Sequence, residues 1–154
     1  MKNEYDDFYK FTIIRHPIDK LLSILRFRNR RKPLWPSKKY SQGSFISAHK
    51  DKIISIINPT DEFLRFDNSS ELFLTPYFYE NEEIIVDDIF RYENLKEDWK
   101  TICSRINISY EELPHLNKSH DNKHFTEILD METIKFFEDF FSEEIERLGY
   151  EFIT

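Results

Sequence analysis

The chain of 154 residues contains only two glycines, Gly43 and Gly149. A loop that cradles phosphate in its backbone N–H groups needs closely spaced glycines, because only they let the main chain turn tightly and approach the anion. With its glycines this far apart, the chain cannot write a Walker loop or a dinucleotide-binding loop. Its single cysteine, Cys103, excludes an internal disulfide and an all-cysteine zinc site. No apolar run approaches the ~20 residues that a membrane-spanning helix needs. The opening MKNEYDDFYK has no apolar signal core, so the expectation is a cytoplasmic chain, unless an anchor lay on a longer N-terminus. The length suits one domain spanning 1–154, and the 15 Phe and 8 Tyr argue against disorder.

The net charge of −7 hides a segregation. From Lys20 to Lys50 there are nine basic residues and no acidic one; the rest of the chain holds 13 basic and 29 acidic residues. Such asymmetry suits a positive face that meets an anionic partner. A solvated basic helix end, partly neutralised by the acidic half, is the alternative. The acidic total and the lack of a binding signature speak against nucleic acid.

The apolar pattern predicts an α/β fold in the order strand, helix, helix, strand, helix, helix. Phe8 to Ile14 reads as a strand, and Pro17 suits the first turn of a helix that carries Ile18, Leu21, Leu22 and Leu25 to about Asn29. Arg30 to Ser44, with Pro33, Pro36 and Gly43, reads as a loop, and Phe45 to Ile57 as a helix capped by Ser44. Ile84 to Arg91 reads as a strand interrupted by two acids. Leu95, Trp99, Ile102, Cys103 and Ile106 share one helical face. Met131, Ile134, Phe137, Phe141, Ile145 and Leu148 share another, closed by Gly149.

The segment FTIIRHPIDKLLS, Phe11 to Ser23, carries the most chemistry. A strand delivers Arg15 at its carboxyl end, where open α/β sheets bind ligands, and a guanidinium offers a planar fork of donors suited to phosphate. Ser23, about two helical turns on, is placed to add a hydroxyl. The residues alone favour the plainer reading, an Arg salt-bridged at a strand end and a Ser on a helix surface.

This segment resembles the 3′-phosphate-binding region of sulfotransferases, in which a strand ending in Arg-x-Pro leads to a helix carrying Ser. FRYENLKEDW, Phe90 to Trp99, is similar to the family's strand-to-helix block; LPHLNKS, Leu113 to Ser119, to its L-P-x-x-N-x-S loop; and Phe136 to Tyr150 to its closing helix. The resemblance runs over Phe8 to Tyr150 and is nearest to the carbohydrate sulfotransferases that modify chondroitin and heparan.

It implies a partial P-loop-type fold of parallel strands flanked by helices, the C-terminal portion of the family fold. It also implies transfer of a sulfuryl group from 3′-phosphoadenosine 5′-phosphosulfate (PAPS) to a hydroxyl of a carbohydrate-like acceptor, without a metal. Arg15 and Ser23 match the family's ligands for the 3′-phosphate, with Lys20 in support. Asn117, Lys118 and Ser119 match a loop that closes near the donor. Arg28, Arg30 and Arg31 are assigned to an anionic acceptor, and Tyr92 and Glu93 to orienting the strand-to-helix junction.

The family's Lys- and Gly-containing loop for the 5′-phosphosulfate and its usual catalytic base lie upstream of Arg-x-Pro, and nothing here matches them. No catalytic residue is assigned. His16, His49, His115, His120 and His124 are the candidate bases, His16 reading better as a turn-maker. The expectation is a sulfotransferase either truncated at its start or completed by a second chain; a tight homo-oligomer would instead favour a non-catalytic remnant. The competing reading is a non-catalytic anion-binding module of the same fold.

Overall fold

The computed structural model describes residues 7–31, 41–57, 73–75, 78–81, 83–114 and 123–154. In chain order the elements are β1 (Phe11–Ile14), α1 (Pro17–Arg31), α2 (Gln42–Ala48), α3 (Lys50–Ile57), β2 (Tyr79–Glu80), β3 (Glu83–Ile84), β4 (Asp88–Arg91), α4 (Leu95–Arg105), α5 (Met131–Phe140) and α6 (Ser142–Arg147). Single 3-10 turns at Tyr92–Asn94 and Phe125–Glu127 lead into helical segments. The chain is α/β, with a parallel strand pair and helices, as the residue pattern predicts. Two compact units form, one from Met1–Arg15 and Pro76–Lys118, the other from His16–Thr75 and Ser119–Thr154.

In the first unit β1 pairs in parallel with β4, from Phe11 opposite Asp88 to Ile14 opposite Arg91. Its aromatic and β-branched residues favour the extended pleat, and Phe11 meets Phe90 edge-on at 6.0 Å. The two acids that interrupt the run Ile84 to Arg91 divide it. The Asp87 carboxylate accepts the Lys10 N–H at 2.6 Å, and the Asp87 N–H donates to the Lys10 carbonyl at 2.8 Å. The Asp88 carboxylate accepts the Tyr9 hydroxyl at 2.6 Å and pairs with Arg105 at 3.2 Å. These bonds fix the register at the amino end of the parallel pair. Burial, with help from the Asp88 carboxylate, pushes the Tyr9 phenol up to about 12. Upstream of Asp87, β3 turns away to pair antiparallel with β2, and Asn81 takes a positive φ of 49° between them. The predicted single strand is therefore two.

Helix α4 buries Ile102 and Cys103. It ends as Asn107 adopts φ 55° and the Ile108 N–H returns to the Cys103 carbonyl at 3.0 Å, a closure that satisfies end carbonyls. The Trp99 indole then donates to the Glu111 carbonyl at 2.8 Å, which pins the segment that follows.

The second unit is helical. Ile18, Leu21, Leu22 and Leu25 of α1 pack with Ile46, Ile53, Phe125, Leu129, Ile134, Phe137, Phe141 and Ile145 in one core. Helix α1 runs to Arg31, so Arg30 and Arg31 are helical rather than the start of a loop. Arginine is a good helix former, and the next strong breaker after Pro17 is Pro33. The next helix starts earlier than predicted: Ser41, not Ser44, is the cap, accepting the Ser44 N–H at 3.2 Å. Gly43 thus lies inside α2, against the Ile128 carbonyl, where a Cβ would collide with the oxygen. The predicted helix Phe45 to Ile57 breaks at His49, whose Nδ1 bonds the Phe45 carbonyl at 2.8 Å while its ring stacks on Phe45.

Asp130 caps α5 through the Thr133 N–H at 2.8 Å and also accepts the Ser47 hydroxyl at 2.7 Å. The C-terminal helical face is buried as predicted except at Met131, which is exposed, and the helix is interrupted at Phe141. Gly149, at φ 65°, ends it with the Tyr150 N–H on the Ile145 carbonyl. Among the described residues of this unit the carboxylates of Asp19, Glu138 and Glu144 are buried. Glu138 accepts the Ile153 and Thr154 N–H groups, and Glu144 accepts those of Leu74 and Thr75. No helix among the described residues is long and apolar enough to cross a membrane.

Candidate functional site

Parallel pairing sets the carboxyl ends of β1 and β4 at the same edge, with Ile14 opposite Arg91. One residue beyond each strand stand Arg15 and Tyr92, and the Arg15 guanidinium carbon lies 4.6 Å from the centre of the Tyr92 ring. Tyr92 is 49% exposed, whereas Arg15 is half-buried. Among the described residues no carboxylate pairs with Arg15. A guanidinium offers its face to an aromatic ring and its N–H donors in its own plane. The stack therefore leaves the donor edge for an anion.

The start of α1 belongs to the second unit. His16 is buried, and its Nδ1 accepts the Ile18 N–H at 3.3 Å; its ring stacks on Phe125 at 4.6 Å and meets Tyr150 edge-on at 5.0 Å. The imidazole caps and packs the helix entry, which agrees with its reading as a turn-maker. Asp19, also buried, pairs with His124 Nε2 at 3.3 Å, and His124 Nδ1 meets the Thr126 hydroxyl at 2.9 Å. Both ring nitrogens of His124 are thereby engaged. His49 is committed to Phe45. His115 and His120 lie outside the described residues.

Lys20 is half-buried, and its charge acts on Glu144. Burial holds the Glu144 carboxyl above the ordinary range, while the Leu74 and Thr75 N–H groups and then Lys20 pull it back. Ser23, also half-buried, lies three residues after Lys20 on a neighbouring line of the helix surface. Arg28, Arg30 and Arg31 occupy the last turns of α1. Asn117, Lys118 and Ser119 lie outside the described residues. Arg15 belongs to one compact unit, and Lys20 and Ser23 to the other. Among the described residues no three His, Cys, Asp or Glu side chains form a metal-holding group.

The sequence reading assigned Tyr92 to the strand-to-helix junction and missed its stack on Arg15. The missing step was strand pairing: once β1 and β4 are taken as parallel neighbours ending at Ile14 and Arg91, Arg15 and Tyr92 become the next pair.

A sequence model described as the Sulfotransferase family matches residues 1–151. The chain belongs to the sulfotransferase family. No curated protein and no solved structure gives a significant match. Membership supports sulfuryl transfer in general, and places Arg15, Tyr92 and the α1 entry inside the matched region of this sulfotransferase-family chain.

Proposed function

We propose that the chain takes its sulfuryl group from PAPS and passes it to a hydroxyl of a carbohydrate-like acceptor. The observation that carries this reading is Arg15: it stands at the carboxyl end of a parallel strand, stacked on Tyr92, with no carboxylate partner among the described residues. A dianionic 3′-phosphate needs charge-assisted donors, and an arginine held by its face supplies two in one plane. The motif that follows Arg15 adds Ser23 and Lys20 to the donor's ligands, and the loop motif adds Asn117, Lys118 and Ser119. Arg28, Arg30 and Arg31, in the acid-free stretch, suit an anionic glycan.

In the reaction, the acceptor oxygen attacks sulfur in line. The bond from sulfur to the bridging phosphate oxygen breaks, and adenosine 3′,5′-bisphosphate leaves. The acceptor proton passes to a general base, to which no residue is assigned.

Titration with adenosine 3′,5′-bisphosphate, against adenosine 5′-monophosphate and the Arg15→Ala variant, tests the donor site. A preference for the 3′-phosphate that Arg15→Ala lowers at least tenfold is expected, since a charge-assisted bond contributes about 1.5–3 kcal/mol. A folded chain with no such preference overturns the proposal. Binding without transfer from PAPS to sugar acceptors would favour the non-catalytic anion-binding module.

A further inference from the structure

We infer that Tyr92 is the positioning residue for Arg15: its ring holds the guanidinium by one face so that the donor edge is presented, ready oriented, to the 3′-phosphate. The inference rests on the PAPS reading and extends it to a residue that does not itself need to touch the phosphate.

Four observations converge on this role. The parallel register makes Arg15 and Tyr92 successive to the last strand pair, so the contact is set by backbone pairing rather than by a wandering surface side chain. The 4.6 Å separation is well inside the range in which a cation is attracted to an aromatic face. No carboxylate among the described residues competes for Arg15, so the ring is its described partner. Finally, Tyr92 is 49% exposed, which removes burial of the ring as a sufficient reason for an aromatic at this position.

The physical consequence is a restraint on a long side chain. An arginine loses much rotamer freedom when it grips a phosphate. One already stacked has lost part of that freedom before the ligand arrives, so less binding free energy is lost to ordering it. A carboxylate in the same place would also hold Arg15, but it would occupy the N–H edge and neutralise the charge that attracts the anion. The aromatic face restrains the side chain and leaves both available.

The test is a double-mutant cycle read by affinity for adenosine 3′,5′-bisphosphate relative to adenosine 5′-monophosphate. Tyr92→Leu should lower the 3′-phosphate preference about three- to tenfold. Tyr92→Phe keeps the ring face and should retain the preference. In the Arg15→Ala background Tyr92→Leu should change nothing further, since a residue acting through Arg15 has nothing left to position. Urea unfolding of each variant shows which chains are folded; a Tyr92→Leu chain that does not fold is replaced by Tyr92→Met.

A merely structural Tyr92 would weaken both nucleotides alike, or would act equally with and without Arg15, and either result overturns the inference. A wild-type chain that does not distinguish the two nucleotides overturns the PAPS reading first, and the role of Tyr92 with it. A wild-type preference that survives Tyr92→Leu overturns only the role of Tyr92.

Discussion

Replacing Glu144 should expose how much the second unit depends on one buried carboxylate. The side chain is 3% exposed; Oε1 accepts the Leu74 N–H at 2.5 Å and the Thr75 N–H at 3.2 Å, and Oε2 accepts the Thr75 hydroxyl. Glu144→Ala removes all three bonds and strands their donors, each costing about 1–3 kcal/mol if left dry. It also removes packing worth ~0.8 kcal/mol per methylene. Relief of a carboxylate held in a poor environment and entry of water offset part of this, so the expected net loss is about 3 kcal/mol, a large share of a typical 5–15 kcal/mol.

Glu144→Gln keeps the shape and the carbonyl acceptor, and should lie within about 1 kcal/mol of wild type. Their pH dependence should differ in sign-specific fashion. Burial raises the Glu144 carboxyl above its ordinary range, so the folded chain holds this proton more tightly than the unfolded one. The stability linked to that proton is present below the unfolded value, about 4.3, and is lost as pH rises through the higher folded value. The Gln variant should therefore gain on wild type as pH rises across that window. Urea unfolding followed by tryptophan fluorescence, from about pH 4.5 to 8, reads both effects. A Glu144→Ala chain within about 0.5 kcal/mol of wild type, or a Gln variant that loses ground with rising pH, would refute the reasoning.

Gly43→Ala should destabilise by about 1–3 kcal/mol in the same unfolding assay, because the new Cβ meets the Ile128 carbonyl and overrides the ~1 kcal/mol that alanine normally brings to a helix. Stabilisation by that change would show that α2 does not approach Ile128 so closely. Asp130→Ala should cost about 1–2 kcal/mol at neutral pH by removing the α5 cap. The Ser47 hydroxyl first, and then the Thr133 N–H, hold the Asp130 carboxyl below its ordinary range. Its contribution is therefore full above the unfolded value and fades as pH falls through the folded one, so wild type and Asp130→Ala should converge in acid. A difference that does not shrink on acidification would count against the cap.

Local features were legible in the residues wherever the signal was itself local. The strand before Arg15, the apolar stripe of α1, the buried face of the C-terminal helices and the Gly149 ending all follow from side-chain period and backbone preference. Errors arose where a side chain competed with the backbone. His49 bonding to Phe45 divides one predicted helix, and Asp87 bonding to Lys10 helps divide one predicted strand. Such bonds depend on geometry that a periodic pattern does not contain.

The candidate site divides along the same line. Sequence alone determined that Arg15 follows a strand and that Ser23 lies on the ensuing helix, and its motifs determined the family, because each is a property of neighbours along the chain. Tertiary structure alone decided that Arg15 meets Tyr92, and no carboxylate among the described residues, because that contact comes from the parallel register of two strands remote in sequence. It also decided that Glu138 and Glu144 are interior groups. The apolar period of their helices does not mark them as interior; the arrival of N–H groups from other segments makes their burial tolerable, since a buried carboxylate persists where its lone pairs are met.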